Sequence, residues 1–269
     1  KKNKILKKDR IAAYMANQIE TVECFLATSA IGAIWSSCSP DFGTPGLIER
    51  FSQIKPKILI ITDRYYYNGK EINILDRLPL IIKKIKSIKT VLILNYPGKK
   101  FLRQKKIKGI KIFNFKKIKK IKPNEIKFKR FDFDHELAIL YSSGTTGKPK
   151  CICHRAGGVL LQHLKEHQLH CEVKPGDNVF YFTTCGWMMW NWLISVLSSK
   201  ASIVLYDGSP MHKTKDLLLK IVKKEEITLF GISAKYIDAL RKFKPNLKYK
   251  FQLSKLKTIC STGSPLSDE

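Results

Sequence analysis

The chain has 269 residues, 44% of them hydrophobic, and its 50 Lys and Arg against 22 Asp and Glu give a formal net charge of +28. That length suits one large or two ordinary domains with a substantial core, and no apolar run approaches the roughly 20 residues that cross a bilayer or forms a signal peptide; a soluble cytoplasmic protein is expected. Lysine outnumbers arginine 42 to 8 and isoleucine reaches 32, a bias that A+T-rich coding produces and that argues against arginine-led reading of nucleic acid.

In chain order, short apolar runs alternate with amphipathic stretches, as in parallel α/β structure. Arg10–Tyr14 reads as a strand and Glu20–Ile31 as a helix with Val22, Phe25, Leu26 and Ser29 on one face. Lys57–Thr62 and Thr90–Asn95 are expected strands bracketing a helix near Ile74–Lys86. Residues 99–130 then hold 15 Lys or Arg against the single Glu125. This stretch, over 97–130, reads as a solvated strand-and-loop linker, with Phe101, Phe113, Phe115 and Phe128 keeping a binding role open.

Strands are expected at 137–141 and 151–154, a helix near Gly157–His170, a strand at Asn178–Phe182 and a helix at Met188–Leu197. The strand Ser202–Tyr206, the helix Lys213–Lys224, the strand Thr228–Gly231, the helix Ala234–Phe243 and the strand Lys257–Ser261 complete the pass. No internal repeat is visible. Two subdomains are expected: 1–136, including the linker, and 137–269. Seven scattered cysteines suit reduced, buried thiols better than a disulfide framework, and Cys151, Cys153 and His154 lack a second pair at metal-ligand spacing.

The most informative run is Tyr141-Ser-Ser-Gly-Thr-Thr-Gly-Lys-Pro-Lys150. Gly144 and Gly147 allow positive φ and close backbone approach, so successive N–H groups can turn toward an anion. Ser142, Ser143, Thr145 and Thr146 add donors, and Lys148 and Lys150 add charge. A Walker P-loop needs Gly at 142 and Ser or Thr at 149; Ser142 and Pro149 stand there instead. The run is a phosphate cradle between two strands. Every notable motif falls at the carboxyl end of an expected strand, where α/β sheets place ligands.

The same run resembles the phosphate loop of the adenylate-forming superfamily, which comprises acyl-CoA synthetases, luciferases and peptide-synthetase adenylation domains. Gly32–Gly43, Thr184–Trp192, Val204–Pro210, Gly231–Tyr236 and Ser261–Leu266 resemble its acetoacetyl-CoA synthetase branch. The resemblance runs from about Arg10 to the end and is interrupted only by the lysine-rich stretch. It implies an α/β fold, the large N-terminal domain of stacked, mostly parallel sheets flanked by helices. The chain is expected to be an incomplete piece of it, with the small C-terminal domain absent.

The resemblance implies that acetoacetate and ATP form an acyl-adenylate, which CoA then cleaves. Ser142, Ser143, Gly144, Thr145, Thr146, Gly147 and Lys148 would hold the β- and γ-phosphates, with Lys150 supporting the loop. Gly263, Ser264 and Pro265 would lie against adenine. Trp187 resembles the aromatic gate between the two half-reactions, and Met188, Met189 and Thr262 would line an acyl pocket with room for a short acid; Trp192 reads as core. Lys70 falls where related enzymes hold CoA phosphate, although Tyr67–Lys70 reads equally as an exposed loop. His163, His167 and His170 read as helix packing.

The magnesium ligand, the ribose aspartate and the catalytic lysine are expected beyond Glu269, so no metal ligand or catalytic residue is assigned within the chain, and the chain alone is expected to be inactive. No membrane or nucleic-acid partner is expected. An acetyl- or propionyl-CoA synthetase and a non-catalytic nucleotide- or polyanion-binding remnant remain as alternatives.

Overall fold

The short apolar runs become the strands of two sheets. The computed structural model describes residues 5–102, 104, 106–119, 128–142, 147–242 and 251–266. They fall into two units, one within Lys1–Tyr66 and Lys70–Val159, the other within Tyr67–Gly69 and Leu160–Glu269.

The first unit contains β1 (Arg10–Tyr14), β2 (Ile34–Cys38) and β3 (Ile58–Thr62). A two-stranded ribbon of β4 (Arg64–Tyr67) and β5 (Lys70–Asn73) follows, with Asn68 and Gly69 at positive φ in its turn, as a tight hairpin requires. Then come β6 (Thr90–Leu94), β7 (Lys111–Asn114), β8 (Glu136–Tyr141) and β9 (Cys151–Arg155). Seven strands form one sheet in the order β7-β6-β3-β1-β2-β8-β9, parallel except for the antiparallel pair β8–β9.

Its helices are α1 (Ile19–Ala30), α2 (Gly43–Ile54), α3 (Leu78–Lys84) and α4 (Phe115–Lys119). Side-chain alternation divides the strands between two faces. Tyr14, Leu59, Ile61, Val91 and Ile93 pack against Leu47, Phe51 and Ile54 of α2 and Leu78 and Ile81 of α3. On the other face, Ile11, Ile58, Ile60 and Leu92, with Cys24 and Thr28 of α1, line an apolar groove of about 720 Å³.

The second unit carries a four-stranded, wholly parallel sheet. Its strands are β10 (Asn178–Tyr181), β11 (Ser202–Val204), β12 (Leu229–Ser233) and β13 (Thr258–Thr262), in the order β11-β10-β12-β13. α5 (Ala156–Leu164) leads toward it, and α6 (Met188–Ser195), α7 (Leu217–Lys224) and α8 (Ala234–Lys242) alternate with its strands. Val179, Tyr181 and Leu229 pack with Trp192, Leu193 and Val196 on the α6 side. Phe180, Phe230 and Ile232 pack with Leu218 and Val222 of α7 and Tyr236 and Leu240 of α8.

Several expected elements change. The lysine-rich stretch, expected as a solvated strand-and-loop linker, contributes β7 to the sheet, and Phe113 and Phe115, with Ile118, turn toward the apolar groove while Lys111 and Lys116 are exposed. The expected helix 157–170 is α only to Leu164 and continues as a π-helix over Lys165–His170. The helix expected from Lys213 starts at Leu217, because Lys213 has φ 63°. Cys24, Cys38 and Cys185 are buried thiols, but Cys151 and Cys153 are exposed on the edge strand β9. Among the described residues no helix is long and apolar enough to cross a membrane.

Candidate functional site

The run 141–150 leaves the carboxyl end of β8 and returns through β9. Ser143, Gly144, Thr145 and Thr146 lie outside the described residues. The base of the loop is closed by Ser142: its N–H donates to the Lys150 carbonyl, and the Lys150 N–H donates back to Ser142 Oγ, both at 3.0 Å. Gly147 has φ 148°, a region open to glycine. Lys148 and Lys150 are exposed, whereas Pro149 between them is buried.

A helix that the sequence reading did not single out anchors this base. Gln53 of α2 donates its amide to the Pro149 carbonyl at 3.0 Å and to the Glu49 carbonyl at 3.1 Å, and its Oε1 faces Cys151 Sγ at 3.6 Å. Three turns of α2 are hidden in the sequence by Gly43, Pro45 and Gly46, although Leu47, Phe51 and Ile54 recur at helical spacing. Tyr141 fixes the exit of β8: its hydroxyl lies 3.2 Å from Ser36 Oγ and 3.3 Å from the Arg50 carbonyl. Burial pushes the Tyr141 phenol well above its ordinary pKa. Two lysines thus project from a loop whose ends are held by hydrogen bonds to the scaffold.

The remaining candidate residues, apart from Lys70, belong to the second unit and stand at the carboxyl ends of its parallel strands. The β10–α6 connection places Trp187 at the N-cap of α6, half exposed, with its N–H donating to the Thr184 carbonyl at 3.1 Å. Met188 is exposed, while Met189 is half-buried and packs against the core cluster that contains Tyr181 and Trp192. Trp192 is buried, its indole N–H donating to Glu166 Oε2 at 2.7 Å. Thr262 ends β13 with its Oγ1 3.1 Å from the Tyr181 hydroxyl. Gly263, at φ 92°, Ser264 and Pro265 follow as a bend at the strand end. Lys70 opens β5, fully at the surface.

The histidines pack as helix residues. His163 Nδ1 lies 2.7 Å from Ser195 Oγ, and since that hydroxyl donates to the Trp192 carbonyl, His163 is the donor. His167 is fully buried edge-on to Trp192, with ring centroids 4.2 Å apart, and His170 is exposed. Burial, reinforced by the neighbouring His163, lowers the His167 pKa to about 4 from 6.5. Between these values the unfolded chain binds the proton and the folded one does not, so stability falls as pH falls from about 6.5 toward 4. The melting temperature is expected to drop across that window, and His167→Gln to flatten the drop. An unchanged slope in the variant would assign the acid lability to other groups.

What these residues have in common is placement at strand ends: an anchored, lysine-bearing loop after β8, Trp187, Met188 and Met189 after β10, and the bend at Gly263 and Ser264 after β13. Comparison with known proteins gives the same arrangement a lineage. Residues 1–269 match the family described as AMP-binding enzyme. The acetoacetyl-coenzyme A synthetase of Rhizobium meliloti (strain 1021) is 47% identical over 264 residues, 97% of this chain and 40% of that protein. The acetoacetyl-CoA synthetase of Gallus gallus is 43% identical over 97% of this chain and 40% of its own length. The solved structure of acetoacetyl-CoA synthetase from Streptomyces lividans superposes with a TM-score of 0.90 at 37% identity, covering 98% of this chain and 40% of that one. The chain therefore spans about 40% of the length of these relatives. With the family matched along its whole length and the fold reproduced, the chain belongs to the AMP-binding enzymes.

Proposed function

We propose that this chain forms part of an ATP-dependent acid–thiol ligase that converts acetoacetate and CoA to acetoacetyl-CoA, releasing AMP and pyrophosphate. The observation that carries the reading is the likeness to the Streptomyces lividans synthetase over 98% of the chain. In the first half-reaction a carboxylate oxygen of the acid attacks the α-phosphorus of ATP as the bond to pyrophosphate breaks. In the second the CoA sulfur attacks the acyl carbon, the thiol proton is lost and AMP departs. Chemistry of this kind depends on positioning and charge neutralisation, not on a protein nucleophile.

In this reading Ser142, Ser143, Gly144, Thr145, Thr146, Gly147 and Lys148 hold the β- and γ-phosphates, and Lys150 supports the loop. The closed base at Ser142 and the Gln53 tether support that assignment, because they fix the two ends of the loop, at Ser142 and at Pro149–Lys150, to the scaffold. Gly263, Ser264 and Pro265 lie against adenine, Trp187 gates the thiol, Met188, Met189 and Thr262 line the acyl pocket, and Lys70 meets CoA. Magnesium would accompany ATP and neutralise phosphate charge. Among the described residues no group of three His, Cys, Asp or Glu could hold a metal ion.

The test is acid-dependent ATP–pyrophosphate exchange by the full-length gene product. Acetoacetate is expected to drive exchange with kcat/KM at least about tenfold above acetate, propionate or 3-hydroxybutyrate, the scale set by one or two well-placed contacts. Preference for acetate or propionate would transfer the protein to that neighbouring specificity, and exchange with none of these acids would reject the reading.

A further inference from the structure

Acetoacetate differs from butyrate at one carbon, where a carbonyl oxygen replaces two hydrogens. Thioethers are weak acceptors and have no donor to offer that oxygen, so Met188 and Met189 can set the size of a pocket but cannot read the keto group. A pair of hydroxyls stands at the carboxyl ends of β10 and β13. Tyr181 ends β10 and Thr262 ends β13, and β12 lies between the two strands. Tyr181 is in register with Gly231, and Gly231 with Cys260, so Thr262, two residues further on, presents its side chain on the same face. Gly231 has no side chain to block the Tyr181 ring, which lies across it. The phenol oxygen thereby reaches Thr262 Oγ1 at 3.1 Å. Met189 packs in the same cluster as Tyr181.

Two hydroxyls bonded to each other engage one hydrogen and leave the other free. Burial decides which. Tyr181 is 3% exposed and Thr262 is exposed at the strand end. If Thr262 donated, the phenol hydrogen would be left on a buried side chain at the cost of an unmade bond. With Tyr181 donating, the free hydrogen sits on Thr262, where an arriving acceptor can take it.

We propose that Thr262 Oγ1–H donates to the 3-keto oxygen of the acid, with Tyr181 as the positioning residue that holds Oγ1 from below. The inference rests on the ligase reading and deepens it, naming short 3-oxo acids as the substrate class in preference to short saturated ones.

The readout is the ratio of kcat/KM for acetoacetate to that for butyrate, in ATP–pyrophosphate exchange by the full-length gene product and its variants. Thr262→Val keeps the shape and removes the donor; its ratio is expected to fall about tenfold to a hundredfold. Tyr181→Phe keeps the ring and loses the support, and a fall of about threefold to tenfold is expected. Thr262→Ser keeps the hydroxyl and is expected to stay within about twofold of the parent. A ratio unchanged in Thr262→Val overturns the proposal, as does a fall in Thr262→Ser equal to that in Thr262→Val, which would make shape the determinant. Either result, with the parent enzyme still selecting acetoacetate, leaves the ligase reading standing; a parent without that preference removes both.

Discussion

Replacing Gly231 with alanine is expected to destabilise the protein by about 3 kcal/mol or more, near the upper end for inserting a methyl into a packed core. An ideal Cβ at 231 would overlap Cγ, Cδ2 and Cε2 of Tyr181. The base of that ring cannot swing aside. It is packed against Trp192, with centroids 5.8 Å apart, and its hydroxyl is held by Thr262. The same added methyl at Gly157 would overlap the ring of Phe133, but Phe133 is 66% exposed and free to rotate into solvent, so Gly157→Ala should cost less than about 1 kcal/mol. Urea denaturation of the two variants checks the contrast. In a Tyr181→Ala background the alanine at 231 should be nearly neutral, since the double-mutant cycle isolates this one clash. Equal costs at 231 and 157 would mean that the β10–β12 packing yields easily.

Asp63→Ala is expected to cost about 3–5 kcal/mol, the range for removing one partner of a buried charge pair. Asp63 is fully buried just after β3, and among the described residues its carboxylate gathers three donors. Oδ1 accepts the Tyr96 N–H at 2.9 Å, while Oδ2 accepts the Leu102 N–H at 3.1 Å and Arg64 Nη2 at 3.4 Å. Arg64, itself 7% exposed, also donates to Glu71 Oε1 at 2.8 Å and to the Lys100 carbonyl at 2.6 Å. Alanine leaves two N–H groups unpaired and a cation without its innermost partner. A lowered urea midpoint with increased proteolysis near 96–102 is the expected signature. A loss below about 1 kcal/mol would show that water replaces the carboxylate there.

The parallel strands were legible where apolar residues run together without interruption, as at Ile58–Thr62 and Thr90–Leu94, because only strands buried on both faces need such runs. β2 was not, since Ser36 and Ser37 break its apolar run. Both are buried, and their polarity is satisfied inside: Ser36 Oγ donates to the Ile139 carbonyl at 2.8 Å, and the Trp35 indole donates to Ser37 Oγ at 2.9 Å. Composition also obscured β7 and α4: lysines dominate the stretch, while Ile112 packs against the core and Phe113, Phe115 and Ile118 line the groove. In the candidate site the loop residues announced themselves through hydroxyls, glycines and lysines crowded into ten positions. Gln53 and Tyr181 did not, because each acts through a partner distant in sequence: Pro149 for one and Thr262 for the other.

The place of β2 in the seven-stranded sheet also has a kinetic side. One edge of β2 pairs with β1, its near neighbour in the chain, but its other edge waits for β8, and the Ser36–Ile139 bond between them spans 103 residues. At the roughly 5–20 residues per second of chain synthesis, that delay is about 5–20 s. Throughout it, a buried-type strand with unpaired N–H and C=O groups is open to any other extended segment. The newborn chain thus depends on protection of that edge before it depends on any ligand.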